Sequence, residues 1–243
     1  FNAAAATVEG RKELAQYNTQ MSKEPEAAAS VARVFNAAAA TVEGRKELAQ
    51  YNTQMSKEPE AAASVARVFN AAAATVEGRK ELAQYNTQMS KEPEAAVSVA
   101  RVFNAAAATV EGRKELAQYN NQMAKDPEAA TSVVKLLAES AVSEEGSREL
   151  AALTRNLSKE PEAAASLVAV LAQASNTPEG RNEVSKLQVR LARDPDAGSA
   201  FVEFLGQAGR HPDGARQASL LHKNLSQDNE ALVPYLKHLA LGN

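Results

Sequence analysis

The chain repeats itself every 34 residues, and this period restricts it to folds in which one small unit stacks on copies of itself. Residues 1–34 read FNAAAATVEGRKELAQYNTQMSKEPEAAASVARV, and residues 35–68 are identical to them. Residues 69–102 differ at Val97 alone, and 103–136 at seven positions, among them Asn121, Asp126 and Thr131. The register continues without a gap through 137–170 and 171–204 and reaches a divergent seventh copy at 205–243. The domain reading is therefore six tandem units over 1–204 followed by a seventh that acts as a C-terminal cap. Phe1 falls inside a repeating element, so the array is expected to belong to a longer one.

Each unit carries two helix-start signals. Pro25 recurs as Pro59, Pro93, Pro127, Pro161 and Pro195. Proline suits the first turn of a helix, where its missing N–H is not needed. The residue before it is always Glu or Asp, favourable at the positive end of a helix. Beyond Pro25, Ala27, Ala28, Val31, Val34, Phe35 and Ala38 share one face at helical spacing, and Glu26, Ser30 and Arg33 form a narrow polar strip opposite. The second signal is Thr41-Val-Glu-Gly, with Ser143-Glu-Glu-Gly, Thr177-Pro-Glu-Gly and His211-Pro-Asp-Gly as variants, where Thr or Ser is a cap type and Pro178 and Pro212 suit the first helical position. Here Gly44, Leu48, Tyr51 and Met55 line one face, while Glu43, Arg45, Lys46 and Glu47 read as a mixed, solvated one. Glycine weakens a first helical turn, so its recurrence at Gly44, Gly78, Gly112, Gly146 and Gly180 points to a close helix–helix approach.

One unit cannot bury enough apolar surface to offset about 1–2 kcal/mol per residue of backbone entropy. Stacked neighbours must supply the rest. The recurring prolines interrupt any long coiled coil. The expectation is thus an all-α solenoid of helix-turn-helix units, with a right-handed superhelix as the expected hand. In the seventh copy Leu232, Leu236 and Leu239 are expected to close the core, with Lys237 and His238 facing water. The period equals that of tetratricopeptide repeats, but aligned on Pro127 the positions those repeats keep small hold Leu136, Glu149 and Asn156. Transcription-activator-like effector repeats share the length too, yet their paired-glycine loop is lacking, and neither family is assigned.

Repetition supplies no asymmetric cluster of nucleophile, base or metal ligands, so no enzyme, metal or cofactor is expected. The three His all lie in the seventh copy, without the i, i+4 pairing of a helical metal site. No apolar run approaches the ~20 residues of a membrane-spanning helix. Copies one to four each balance four basic against four acidic residues, which argues against the nucleic-acid-binding array that is the alternative reading. The Tyr series Tyr17, Tyr51, Tyr85, Tyr119 becomes Leu153 and Leu187 later, as core positions do and base-stacking platforms do not. What remains is a scaffold, either a spacer whose length is set by copy number or a solenoid that binds a protein or extended peptide. The candidate partner-binding ladder is Ser30, Arg33 and Asn36, then Ser64, Arg67 and Asn70, then Ser98, Arg101 and Asn104. Reversing the charge of Arg67 and Arg101 is expected to leave the fold intact and to weaken a partner only if the ladder is functional.

Overall fold

The structure is a computed structural model, and it describes residues 1–240; the last three residues of the expected cap lie outside that range. In chain order the helices are α1 (Asn2–Ala5), α2 (Val8–Met21), α3 (Pro25–Ala39), α4 (Val42–Met55), α5 (Pro59–Ala73), α6 (Val76–Met89), α7 (Pro93–Ala107), α8 (Val110–Met123), α9 (Pro127–Ser140), α10 (Glu144–Leu157), α11 (Pro161–Ala174), α12 (Pro178–Leu191), α13 (Pro195–Ala208), α14 (Pro212–Leu225) and α15 (Asn229–Ala240). No strand occurs among the described residues. Apart from the short α1 and the closing α15, each helix has 14 or 15 residues, and the whole is an α-solenoid of helical hairpins.

The start signals act as their chemistry dictates. Pro59, Pro93, Pro127, Pro161 and Pro195 each open their helix. Thr41 Oγ1 accepts the Gly44 N–H at 3.0 Å, and Thr75, Thr109, Ser143 and Thr177 cap Gly78, Gly112, Gly146 and Gly180 in the same way. The acids before proline divide by length. Asp126 and Asp194 accept N–H groups of their own helices, whereas Glu24, Glu58, Glu92 and Glu160 make no side-chain cap.

The odd-numbered helices form an inner layer in which α3 packs on α5, α5 on α7, and so on. The even-numbered helices lie outside, and their main contacts are not with hairpin partners but with inner helices three elements away: α2 on α5, α5 on α8, α3 on α6. Each inner helix from α5 to α11 is therefore gripped by outer helices from both directions along the array. Phe35, Phe69 and Phe103 interleave with Tyr51, Tyr85 and Tyr119 through the core, with ring centroids 5.6–6.4 Å apart. Such pairs contribute about 0.5–1.5 kcal/mol each beyond their burial.

The recurring glycines sit where the outer helix starts against the end of the inner helix before it. A Cβ on Gly44, Gly78, Gly112, Gly146 or Gly180 would stand 1.8–2.0 Å from the carbonyl oxygen six residues earlier, closer than any side chain permits. At the other end of the chain, α15 buries Ala231, Tyr235 and His238, while Leu236 is exposed and Leu232 and Leu239 are only partly covered. The expected cap face is thus corrected by one helical step. Phe201 receives the His238 ring edge-on at 5.1 Å, and this pairing turns the imidazole inward.

Candidate functional site

The polar residues of the unit build two regular sets of inter-repeat bonds. In the interior, Asn52 Nδ2 donates to Ser98 Oγ at 3.1 Å and lies 3.4 Å from the Tyr85 hydroxyl. Asn18 with Ser64, Asn86 with Ser132 and Asn120 with Ser166 repeat this rung at 3.1–3.4 Å. Each serine also donates to the carbonyl three residues back, so the buried hydroxyls are satisfied. Burial pushes the Tyr51 and Tyr119 phenols up to about 12, against the opposing effect of the asparagine bonds, and pushes Tyr85 up as well.

Arg45 belongs to the second set. It is 6% exposed, not solvated as the mixed charge pattern around it implied. Its Nη1 donates to Ala39 O at the end of α3 and its Nη2 pairs with Glu92 at 2.9 Å, 47 residues on. Arg11 with Glu58 and Arg113 with Glu160 make the same strut at 2.9 and 3.1 Å. The guanidinium thereby satisfies a helix C-terminus and braces the N-terminus of a helix that starts in the next unit. Neither this arginine nor the buried asparagine was singled out from the sequence.

The structure places the candidate ladder inside this network rather than on open surface. Ser64 and Ser98 are buried interior rungs, while Ser30 and Arg33 of the first copy are exposed. Arg67 bridges two outer helices, α2 and α8: Nη1 donates to Thr19 Oγ1 at 3.0 Å, Nη2 to Glu111 at 3.0 Å and Nε to Glu115 at 3.2 Å. Arg101 repeats this with Thr53, Glu145 and Glu149, and Arg33 pairs with Glu77 and Glu81. Asn36, Asn70 and Asn104 donate to Glu81, Glu115 and Glu149 at 2.8–2.9 Å. The strip thus faces solvent in the first copy, through Ser30 and Arg33, and is largely covered in the next two. Apart from Ser30, its side chains are bonded to neighbouring copies, because outer helices of the flanking units close over it.

The junction between the third and fourth copies is the first to break the pattern. Asp126 replaces the strut glutamate and caps its own helix, with Oδ1 2.8 Å from the Glu128 N–H. Arg79 keeps its bond to Ala73 O at 2.9 Å but has no carboxylate within ion-pair distance among the described residues. Lys135 replaces the spanning arginine and does not reach the counterparts Thr87, Glu179 and Glu183; Glu183 pairs with Lys186 instead. A groove of about 770 Å³ opens here, between α6, the start of α9 and the start of α12. Arg79, Thr87, Asp126, Thr131, Lys135 and Glu179 all line it.

Among the described residues no group of three His, Cys, Asp or Glu is placed to hold a metal ion, and no helix is long and apolar enough to cross a membrane. No family model, curated protein or solved structure matches the chain.

Proposed function

We propose that the chain is a non-catalytic scaffold that sets a distance, with copy number as the length control. The observation that carries this reading is the occupancy of Arg67, Arg101, Ser64 and Ser98: the repeated polar groups a partner would have to engage are bonded between copies. Identical units joined by identical bonds add equal increments of length and of nearest-neighbour stability. The same pairing disfavours the nucleic-acid alternative, since Arg67 and Arg101 each face two carboxylates and offer phosphate no free charge.

The test uses the exact duplication. Excising residues 35–68 leaves every junction sequence intact, and duplicating them adds one more. Small-angle scattering should show the longest dimension falling and rising by one common increment, about 8–10 Å if stacked inner helices set it. Unequal increments, or collapse on removing a single copy, would rule out a length-setting role. Charge reversal at Arg67 and Arg101 should lower the stability of the array, because it sets four carboxylates of α8 and α10 against two new ones.

A further inference from the structure

From the broken junction between the third and fourth copies we infer that the 770 Å³ groove is a binding site for a short acidic peptide segment, with a glutamate-length carboxylate seated on Arg79. This goes beyond the spacing role and stands on different residues.

The molecule itself supplies the template. Arg11, Arg45 and Arg113 each hold one guanidinium edge on the preceding helix end and give the other to a glutamate carboxylate at 2.9–3.1 Å. Arg79 is anchored on Ala73 O in the same way, so its second edge is presented in the same geometry. Asp126 is one methylene too short to serve as a strut while it caps α9, and its carboxylate is committed to the Glu128 and Ala129 N–H groups. The position that a glutamate fills elsewhere is therefore open to an incoming one. A charge-assisted guanidinium–carboxylate pair in a half-enclosed groove is the strong kind of polar contact.

The second lapse widens the site at the same place. Where Arg101 runs across to Thr53, Glu145 and Glu149, Lys135 leaves Thr87 and Glu179 as walls of an open channel. Three of the seven residues that separate the fourth copy from the second, Asp126, Thr131 and Lys135, line this one groove. The acids in its wall are Asp126, Glu128 and Glu179, balanced by Arg79, Lys80 and Lys135. Net attraction alone does not define the ligand; the vacated strut position does. The volume lies in the range of ligand pockets and suits several residues rather than a single ion.

Reverting the two lapses gives a variant whose fold is secured by the intact junctions beside it. Asp126→Glu with Lys135→Arg restores the sequence of the second and third copies at both positions. Fluorescence anisotropy would follow a labelled ten-residue peptide of alternating Ala and Glu, with its Ala/Gln counterpart as control, on the full chain. The Glu peptide should bind at least tenfold tighter than the Gln peptide, and the double reversion should weaken it at least tenfold while circular dichroism stays unchanged. Equal binding of both peptides, equal binding by the reverted chain, or no binding of the Glu peptide would each overturn the assignment. Binding of free glutamate as tight as that of the peptide would overturn the peptide class.

Discussion

The first and second copies are the same 34 residues, yet they live in different environments. Tyr17 is 40% exposed and Tyr51 2%; Val34 is 56% exposed and Val68 1%. Ser30 is exposed and bonds only within its own helix, while Ser64 is buried and takes a hydrogen bond from Asn18. Arg33 reaches two carboxylates, and Arg67 reaches the equivalent two and Thr19 besides. Local propensity is identical by construction, so every difference is due to packing on one side instead of two. In this fold, burial belongs to a position in the stack and not to a residue in the unit. That is the physical content of nearest-neighbour stability.

The largest test of the comparison makes one substitution in both places. Val68→Asp buries an unpaired carboxylate and should cost about 4 kcal/mol or more, whereas Val34→Asp should stay within about 0.5 kcal/mol. Amide exchange along the array is the suitable readout, since a repeat protein need not unfold in one step. Equal losses at the two sites would break the comparison. Glycine sharpens it from the other side, because its clash lies within one turn and not across the stack. Gly44→Ala sets a Cβ 1.8 Å from Ala38 O and should cost about 2–3 kcal/mol. Gly10→Ala meets Ala4 O at 1.9 Å, but α1 has four residues and can unwind, so its loss should stay below about 1 kcal/mol.

Helix bounds were legible because their causes are local. Proline, a Thr or Ser cap and a 3.6-residue apolar period act within a few residues, and α3, α4 and their counterparts begin where those signals stand. The site was not legible in the same way. On the helical wheel of one unit, Arg45, Asn52 and Ser64 fall among polar residues, and nothing nearby asks them to be buried. Their partners stand 46 or 47 residues away, beyond the hairpin, in helices whose contact follows from three-element packing. One signal was present: the strut pairs Arg11 with Glu58, Arg45 with Glu92 and Arg113 with Glu160 at constant separation, while Ser147 stands where the acid is Asp194. Reading pairs across copies, rather than faces within one, would have found it.

The interior rung offers a smaller test of the same contrast. Ser64→Ala leaves the Asn18 amide without its acceptor in a buried place, at a cost of about 1–2 kcal/mol. Ser30→Ala removes only a bond to Glu26 O at the surface and should be nearly neutral. If the two variants melt alike, the rung contributes nothing and the aromatic interleaving alone holds adjacent copies in register. Asn18→Ala should then match Ser64→Ala when the rung is real, and the double variant should cost little more than either single one.

The smallest effect contrasts the open first copy with the opposite end, where α15 packs mainly on α12 and buries Ala231, Tyr235 and His238. Burial against Phe201 holds the His238 imidazole below its ordinary 6.5. The folded end therefore resists a proton that the unfolded end accepts, so its stability is complete above about 6.5 and declines as pH falls toward the lower folded value. A single proton limits the change to at most tenfold in the local opening constant per pH unit. Amide exchange in α15, corrected for its intrinsic pH dependence, should accelerate on acidification from neutrality, while α5 to α8 hold steady over the same range. His238→Phe keeps an aromatic ring against Phe201 and removes the titrating group, so the acceleration should vanish in that variant. Persistence of the acceleration would place the sensitive group elsewhere in the cap and leave His238 as packing alone.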